Sequence, residues 1–360
     1  MDNTIRWGVI GCGQIAVDKA LPAIHAADGT CLVAVSDPLP ERRRLAGETR
    51  PVELRDMPLR EYDNYAGLLG DAEVDAVYIS LPTGMHTEAV LAAMQAGKPT
   101  LCEKPLGRNL DEVLAMVRAA KETGTPLMTA YMSRFGSIYQ EAARLIREGA
   151  VGTVTYVHAD FSYPALESYP LGTPGSWRWT DAEGGGPVLD IGIYLAFALR
   201  EWLDDRIETV CASALDRLAP AGLPVRDTTM AWFRTEGGIP GTFAATFTHS
   251  ECRISVYGTK GRLDVDGCFA QGPGGRLTCR AGTVRYSIDN DMGDKARHFE
   301  HYLREIEHFS SALQTRADYH PSPDEVLADT QFLQALRDSA TLGRPIVLPS
   351  IETLLENHSK

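Results

Sequence analysis

The chain has 360 residues, 44% hydrophobic and 23% charged, with 33 Gly and 21 Pro, which fits an ordinary globular protein long enough for two domains and excludes a disordered or fibrous chain. Lys and Arg total 35 against 48 Asp and Glu, a formal charge of -13, so a surface built to hold a polyanion is not expected and nucleic acid is excluded as a partner. The cysteines at 12, 31, 102, 211, 252, 268 and 279 are scattered without metal-ligand spacing and read as reduced thiols of a cytoplasmic protein with no metal site.

An apolar strand pattern begins within five residues of Met1, leaving no room for a signal peptide. No apolar run approaches the roughly 18 to 20 residues of a membrane span, so no membrane partner is expected. Five strands are predicted in the first 132 residues, at 5–11, 31–37, 74–82, 98–105 and 126–132, with helices at 14–28, 40–48, 85–97 and 109–123. Near-continuous apolar strands alternating with helices predict a parallel sheet covered on both faces. Beyond residue 132 the texture changes. A helix at 138–148 precedes alternating strands at 152–162, 207–218, 228–235, 240–249 and 252–265, and an amphipathic helix closed by Gly343 ends in a short strand. Alternation predicts an antiparallel sheet with one exposed face. The expected division is therefore 1–131 and 132–360, an α/β domain followed by an α+β domain.

The first strand ends in "GCGQIA". Gly11 and Gly13 permit a tight turn and close backbone approach to a pyrophosphate, while Gln14 and Ile15 open a helix whose free amides face that charge. Asp37 ends the second strand, where a carboxylate accepts hydrogen bonds from a ribose and repels a 2'-phosphate, so NAD is expected. Arg42 and Arg43 keep NADP as the alternative: the run Arg42–Arg44 either lies on a solvated helix start or meets a cofactor phosphate. Leu81, Pro82 and Thr83 end the third strand and would line the cofactor cleft. His86 either joins them or makes local hydrogen bonds at its helix start.

The fourth strand closes with "CEKPLG", which brings Glu103 and Lys104 to the same edge. Lys104 is either a group that hydrogen-bonds a substrate oxygen beside the nicotinamide or a surface ammonium at a turn. Tyr131 and Arg134 follow the fifth strand as candidate substrate contacts. Further on, "GGGPVLDIGIYLAF" places a permissive loop, Gly184–Gly186, before Pro187 at a predicted first helical turn. Asp190 and Tyr194 then stand at i and i+4 on one helix face. They are either chemical residues or a buried structural Asp and a core Tyr.

Together "GCGQIA", "CEKPLG", "SWRWTDAEGGGPVLDIGIY" and "VYGTKGRL" resemble the Gfo/Idh/MocA family of oxidoreductases over nearly the whole chain. The resemblance implies an N-terminal Rossmann dinucleotide-binding domain and a C-terminal α+β domain with an open, mostly antiparallel sheet, whose exposed face often makes oligomer contacts in a dimer or tetramer. It implies that Lys104 is the lysine of the family's EKP motif, that Asp190 is the Asp after its glycine run, and that Trp177 and Arg178 lie near nicotinamide and substrate. Many members carry His four residues after that Asp; Tyr194 stands there, as in the branch containing glucose-fructose oxidoreductase and dihydrodiol dehydrogenase. The expected activity is hydride transfer between NAD(P) and a secondary alcohol, carbonyl or hemiacetal carbon of a sugar, polyol or related diol. The alternatives are a cofactor-binding sensor without turnover and an enzyme that keeps and recycles its cofactor.

Overall fold

The computed structural model describes residues 4–52, 58–173, 175–269, 275–281, 284–289 and 294–357. Its contacts divide the chain into two units, one of residues 1–107, 111–135 and 295–323, the other of 108–110, 136–294 and 324–360. The first begins β1 (Ile5–Ile10), α1 (Leu21–Ala26), β2 (Thr30–Ser36), α2 (Pro40–Glu48), β3 (Arg60–Tyr62), α3 (Tyr65–Leu69) and β4 (Ala76–Ile79). It continues through α4 (His86–Gln95), β5 (Thr100–Glu103), α5 (Leu110–Thr123) and β6 (Leu127–Ala130). The strands pair in parallel in the order β3-β2-β1-β4-β5-β6, the order of a doubly wound dinucleotide fold. Every residue of β4 is buried, as the near-continuous apolar reading of a two-sided parallel sheet requires. On α5, Val113, Leu114, Met116, Val117 and Ala120 are buried, a single stripe at helical spacing.

The second unit starts with α6 (Ser137–Arg147), β7 (Val154–Ser162), α7 (Ala165–Ser168), α8 (Pro187–Asp190) and α9 (Gly192–Leu203). The strands β8 (Ile207–Leu215), β9 (Thr228–Thr235), β10 (Pro240–Thr246), β11 (Glu251–Gly258), β12 (Gly261–Asp266), β13 (Arg276–Ala281) and β14 (Val284–Asp289) follow. The chain then runs through α10 (Asp294–Thr315), α11 (Pro323–Leu342), β15 (Ile346–Val347) and α12 (Ile351–Asn357). The sheet has nine strands in the order β14-β13-β12-β11-β7-β10-β9-β8-β15. Its pairs are antiparallel except β7 with β10. Burial alternates along β9: Ala231 and Phe233 face inward, Met230, Trp232 and Arg234 outward. Phe332 of α11 packs edge-on against Phe233 and Phe243, at 6.1 and 5.6 Å between ring centroids, and so covers one face only.

Three expectations change. The strand expected over 252–265 is the hairpin β11–β12, because Thr259 and Lys260 turn between them. The helix expected to carry both Asp190 and Tyr194 is interrupted at Ile191 (φ -120°, ψ -27°), which separates α8 from α9. The i, i+4 relation therefore does not follow from helical spacing. Finally, α10 belongs largely to the first unit, where Phe309 packs on Trp7 at 6.1 Å and the Trp7 indole N–H donates to Ser310 Oγ at 3.2 Å.

Candidate functional site

The first cluster lies at the carboxyl ends of β1, β2, β4 and β5. Gly11 holds φ +89°, and a Cβ there would stand 2.4 Å from the Ser80 carbonyl oxygen, so only glycine lets the turn after β1 pass the end of β4. A Cβ on Gly13 would meet nothing within 4 Å, which leaves its backbone approachable at the start of the helix that Gln14 and Ile15 begin. An open backbone at a helix N-terminus, at the strand-order switch between β1 and β4, fits a dinucleotide pyrophosphate. Ile15 is exposed there, at 43%.

Asp37 is buried, accepting from the Cys12 N–H at 3.0 Å and the Leu39 N–H at 2.9 Å. Its carboxylate retains lone pairs for a further donor. Burial, reinforced by Asp37, pushes the Cys12 thiol up to about 12, so that sulfur stays neutral. The arginines differ in their engagement. Arg43 donates to the Asp37 carbonyl at 2.6 Å and to Glu61 at 3.2 Å, whereas Arg42, with 51% of its side chain exposed, lies 3.8 Å from the Asp37 carboxylate.

Leu81, Pro82 and Thr83 enter a short 3-10 turn ahead of α4, with Thr83 buried. His86 is buried, one ring nitrogen 3.0 Å from the Pro105 carbonyl and the other 2.9 Å from that of Leu81. Burial holds its pKa down. The ring thus ties the turn after β4 to the turn after β5, which is the local hydrogen-bonding role. In that second turn Glu103 accepts from Tyr78 O–H at 2.6 Å, Tyr302 O–H at 3.4 Å and the Lys104 backbone N–H at 3.1 Å. Burial raises the Glu103 carboxyl pKa despite these donors and the nearby Lys104 charge. Tyr131 is buried at the end of β6, and Arg134 lies on the 3-10 turn Met132–Phe135.

In the second unit the glycine run brings two further groups together. Gly185 N–H donates to the Thr180 carbonyl and Gly186 N–H to that of Arg178, at 2.9 and 2.8 Å. A Cβ at Gly185 would stand 2.5 Å from the Arg178 carbonyl oxygen, so the close approach needs glycine. Arg178 is thereby held beside α8. Its Nε donates to Asp190 Oδ2 at 3.0 Å, and Tyr163 O–H donates to the same oxygen at 2.7 Å. Burial works to lower the Arg178 pKa, but Asp190 outweighs it and the net shift is upward. The guanidinium lies over the rings of Tyr169 and Trp177, 3.9 and 4.3 Å from their centroids. Tyr194 sits among Phe161, Phe269 and Phe197, at 5.6, 5.4 and 5.8 Å.

Trp177, Arg178 and Asp190 are therefore joined directly, whereas Tyr194 packs on Phe161 of β7, two residues before the Tyr163 whose hydroxyl meets Asp190. Sequence reasoning missed Tyr163, Tyr169, Tyr78 and Tyr302. The run "FSYPALESY" held the first two without any periodic signal for the site.

Residues 5–131 match an oxidoreductase family with an NAD-binding Rossmann fold, and residues 139–264 match the GFO/IDH/MocA C-terminal domain. The chain is 33% identical over 281 residues to 1,5-anhydro-D-fructose reductase of Ensifer adhaerens, covering 76% of this chain and 80% of that protein. It is 28% identical over 348 residues to D-xylose 1-dehydrogenase (NADP(+)) 2 of Haloferax volcanii, covering 96% and 100%. Among solved structures, aldose-aldose oxidoreductase from Caulobacter crescentus superposes with a TM-score of 0.82 at 26% identity, over 96% of this chain and 100% of that one.

Proposed function

The chain belongs to the Gfo/Idh/MocA family of oxidoreductases, and from that membership we propose that it is an NAD(P)-dependent dehydrogenase or reductase of a sugar, polyol or related diol. The reacting centre is a secondary alcohol, its carbonyl, or a hemiacetal carbon. One observation carries this reading: the glycine turn after β1 and the EKP turn after β5 open at the same edge of one parallel sheet, with β4 between them. A lysine thus stands in the same row of strand ends as the pyrophosphate cradle.

A nicotinamide bound there supplies the hydride acceptor in one direction and the donor in the other. The chain acts on the substrate oxygen. Lys104 orients it and stabilises the charge it gains as its proton leaves. Tyr194 takes that proton in oxidation and returns it in carbonyl reduction. An ordinary phenol, near pKa 10, does this at neutral pH only where a cation favours the phenolate. Asp190, fixed by Arg178 and Tyr163, positions the substrate, and Trp177, Arg178, Tyr131 and Arg134 contact it.

Asp37 favours NAD, and the exposed Arg42 is the residue through which NADP would be accepted. The relative whose name couples two aldoses supports a second reading, in which the cofactor is reduced by one sugar and reoxidised by another without leaving. A cytoplasmic location is proposed from the scattered cysteines, which have no metal-ligand spacing, and no described helix is long and apolar enough to cross a membrane. The exposed face carrying Met230 and Trp232 supports a homo-oligomer.

The test is a titration of nucleotide-stripped protein with NADH and NADPH, followed by nicotinamide absorbance against pooled sugars, polyols and their keto forms. Saturable binding with turnover, tighter for NADH, is expected. Binding with no turnover in any pool overturns the enzyme in favour of a sensor, and a nucleotide that cannot be stripped favours the recycled cofactor.

A further inference from the structure

The first unit buries a carboxyl group that the chemistry above does not use. Glu305 of α10 is 0% exposed, and neither of its carboxyl oxygens meets a hydrogen-bond donor among the described residues. An ionised carboxylate in that position would be desolvated without compensation. Glu103 bears on it electrostatically, and burial with that neighbouring charge drives the Glu305 carboxyl well above the usual carboxylate range. Among the described residues, the other ionisable groups around the pair include Tyr78 from β4, Cys102 and Lys104 on either side of Glu103 at the end of β5, and Tyr302 and His301 one turn earlier on α10.

The two carboxyls are unequally equipped. Glu103 accepts from two phenols and from the backbone N–H of Lys104, whereas Glu305 has no donor among the described residues. Donors favour the ionised form. Two carboxyls in a shared low-dielectric site do not both ionise readily, so one proton resides on the partner without donors.

We infer that Glu305 is a positioning residue for Lys104: as a neutral carboxylic acid against Glu103, it leaves a single negative charge there, on the carboxylate that holds the Lys104 peptide. Loss of the Glu305 proton adds a second negative charge to the one on Glu103. The ammonium form of Lys104 is then favoured, and the hold of Glu103 on that peptide is weakened by repulsion. The inference rests on the reading of Lys104 as a working group. Its test does not require turnover.

Full-length protein in heavy water should show an infrared carboxylic-acid carbonyl band at neutral pH that is absent from Glu305→Gln and that disappears from the wild type on alkaline titration. In parallel, acylation of Lys104 by acetic anhydride, followed by peptide mass spectrometry, gives its reactivity against pH. Above the pH at which the band is lost, wild-type Lys104 should react more slowly than Lys104 of Glu305→Gln, about tenfold for each unit by which the extra charge raises its pKa. A wild-type spectrum without that band at neutral pH overturns the inference. So do superimposable acylation profiles while the band titrates, since a purely structural acid would leave Lys104 unmoved. If no pool turns over, the proposed function fails while the band and the acylation profile still decide the inference.

Discussion

At the scale of single residues, the surroundings of Tyr194 separate packing from chemistry. Its ring is held by Phe161, Phe197 and Phe269 and is 9% exposed, so Tyr194→Phe keeps every ring contact and removes one oxygen. If that oxygen exchanges the proton, kcat should fall by about 10²- to 10⁴-fold, the usual worth of a general acid or base. NADH affinity, set by the first unit, should stay within about twofold. Unchanged turnover would reassign Tyr194 to the aromatic core. The sequence already marked this residue and Asp190, because a glycine run and a proline announce a helix start without tertiary information. It did not mark Tyr163, whose hydroxyl reaches Asp190 across 27 residues of chain; a lone Tyr before a Pro carries no local sign of a long-range partner. His86 was legible as a helix-start residue, but its bridge between the Leu81 and Pro105 carbonyls exists only once β4 and β5 lie side by side.

At the scale of elements, legibility followed the length and strength of the periodic signal. The core strands of the first sheet were readable as apolar runs between helices. The edge strand β3, three residues long, is too short to show a period. The long helix α10 was missed although Phe299, Tyr302, Ile306 and Phe309 recur at helical spacing; charged residues interleaved among them diluted the apolar stripe. The break at Ile191 was also invisible, since no glycine or proline falls on the residue that leaves the helical region. For the second sheet the decisive element is α11, whose Phe332 closes the face formed by Phe233 and Phe243. Phe332→Ala removes a buried ring and should cost about 3–5 kcal/mol. Urea unfolding would measure it, and a loss below about 1 kcal/mol would show that the site repacks or was never tightly filled.

For the whole molecule, sequence texture located a change of architecture near residue 132, but the structure returns residues 295–323 to the first unit, a crossing that no local pattern encodes. The exposed face of the second sheet makes a prediction about assembly. Met230 and Trp232 are 57% and 48% exposed on one strand, and Trp232→Asp would place a charge where a second copy is proposed to bind. Sedimentation should show a shift from oligomer to monomer without loss of fold; an unchanged mass would move any interface elsewhere. The pH dependence of stability carries the last prediction, and its sign follows from which carboxyls are displaced in which direction. Asp71, Asp75 and Asp227 have lowered pKa values; the stability they contribute is present above their unfolded pKa and is lost as pH falls. For Asp71 and Asp227 burial opposes the lowering and hydrogen bonds outweigh it, whereas for Asp75 the leading cause is its bond to Arg6. Glu103, Glu305 and Asp329 have pKa values raised by burial. In the folded chain they keep protons that the unfolded chain has already released, so their contribution is fully present below the unfolded pKa and is lost as pH rises through the folded one. Each such group makes stability fall by about 1.4 kcal/mol per pH unit across that window. Glutamine at 305 cannot lose a proton. Urea unfolding of wild type and Glu305→Gln should therefore run parallel below the ordinary Glu pKa of about 4.3 and diverge as pH rises, with the variant increasingly the more stable. Curves that stayed parallel from acid to alkaline pH would mean that Glu305 ionises alike in both states and is not a buried neutral acid.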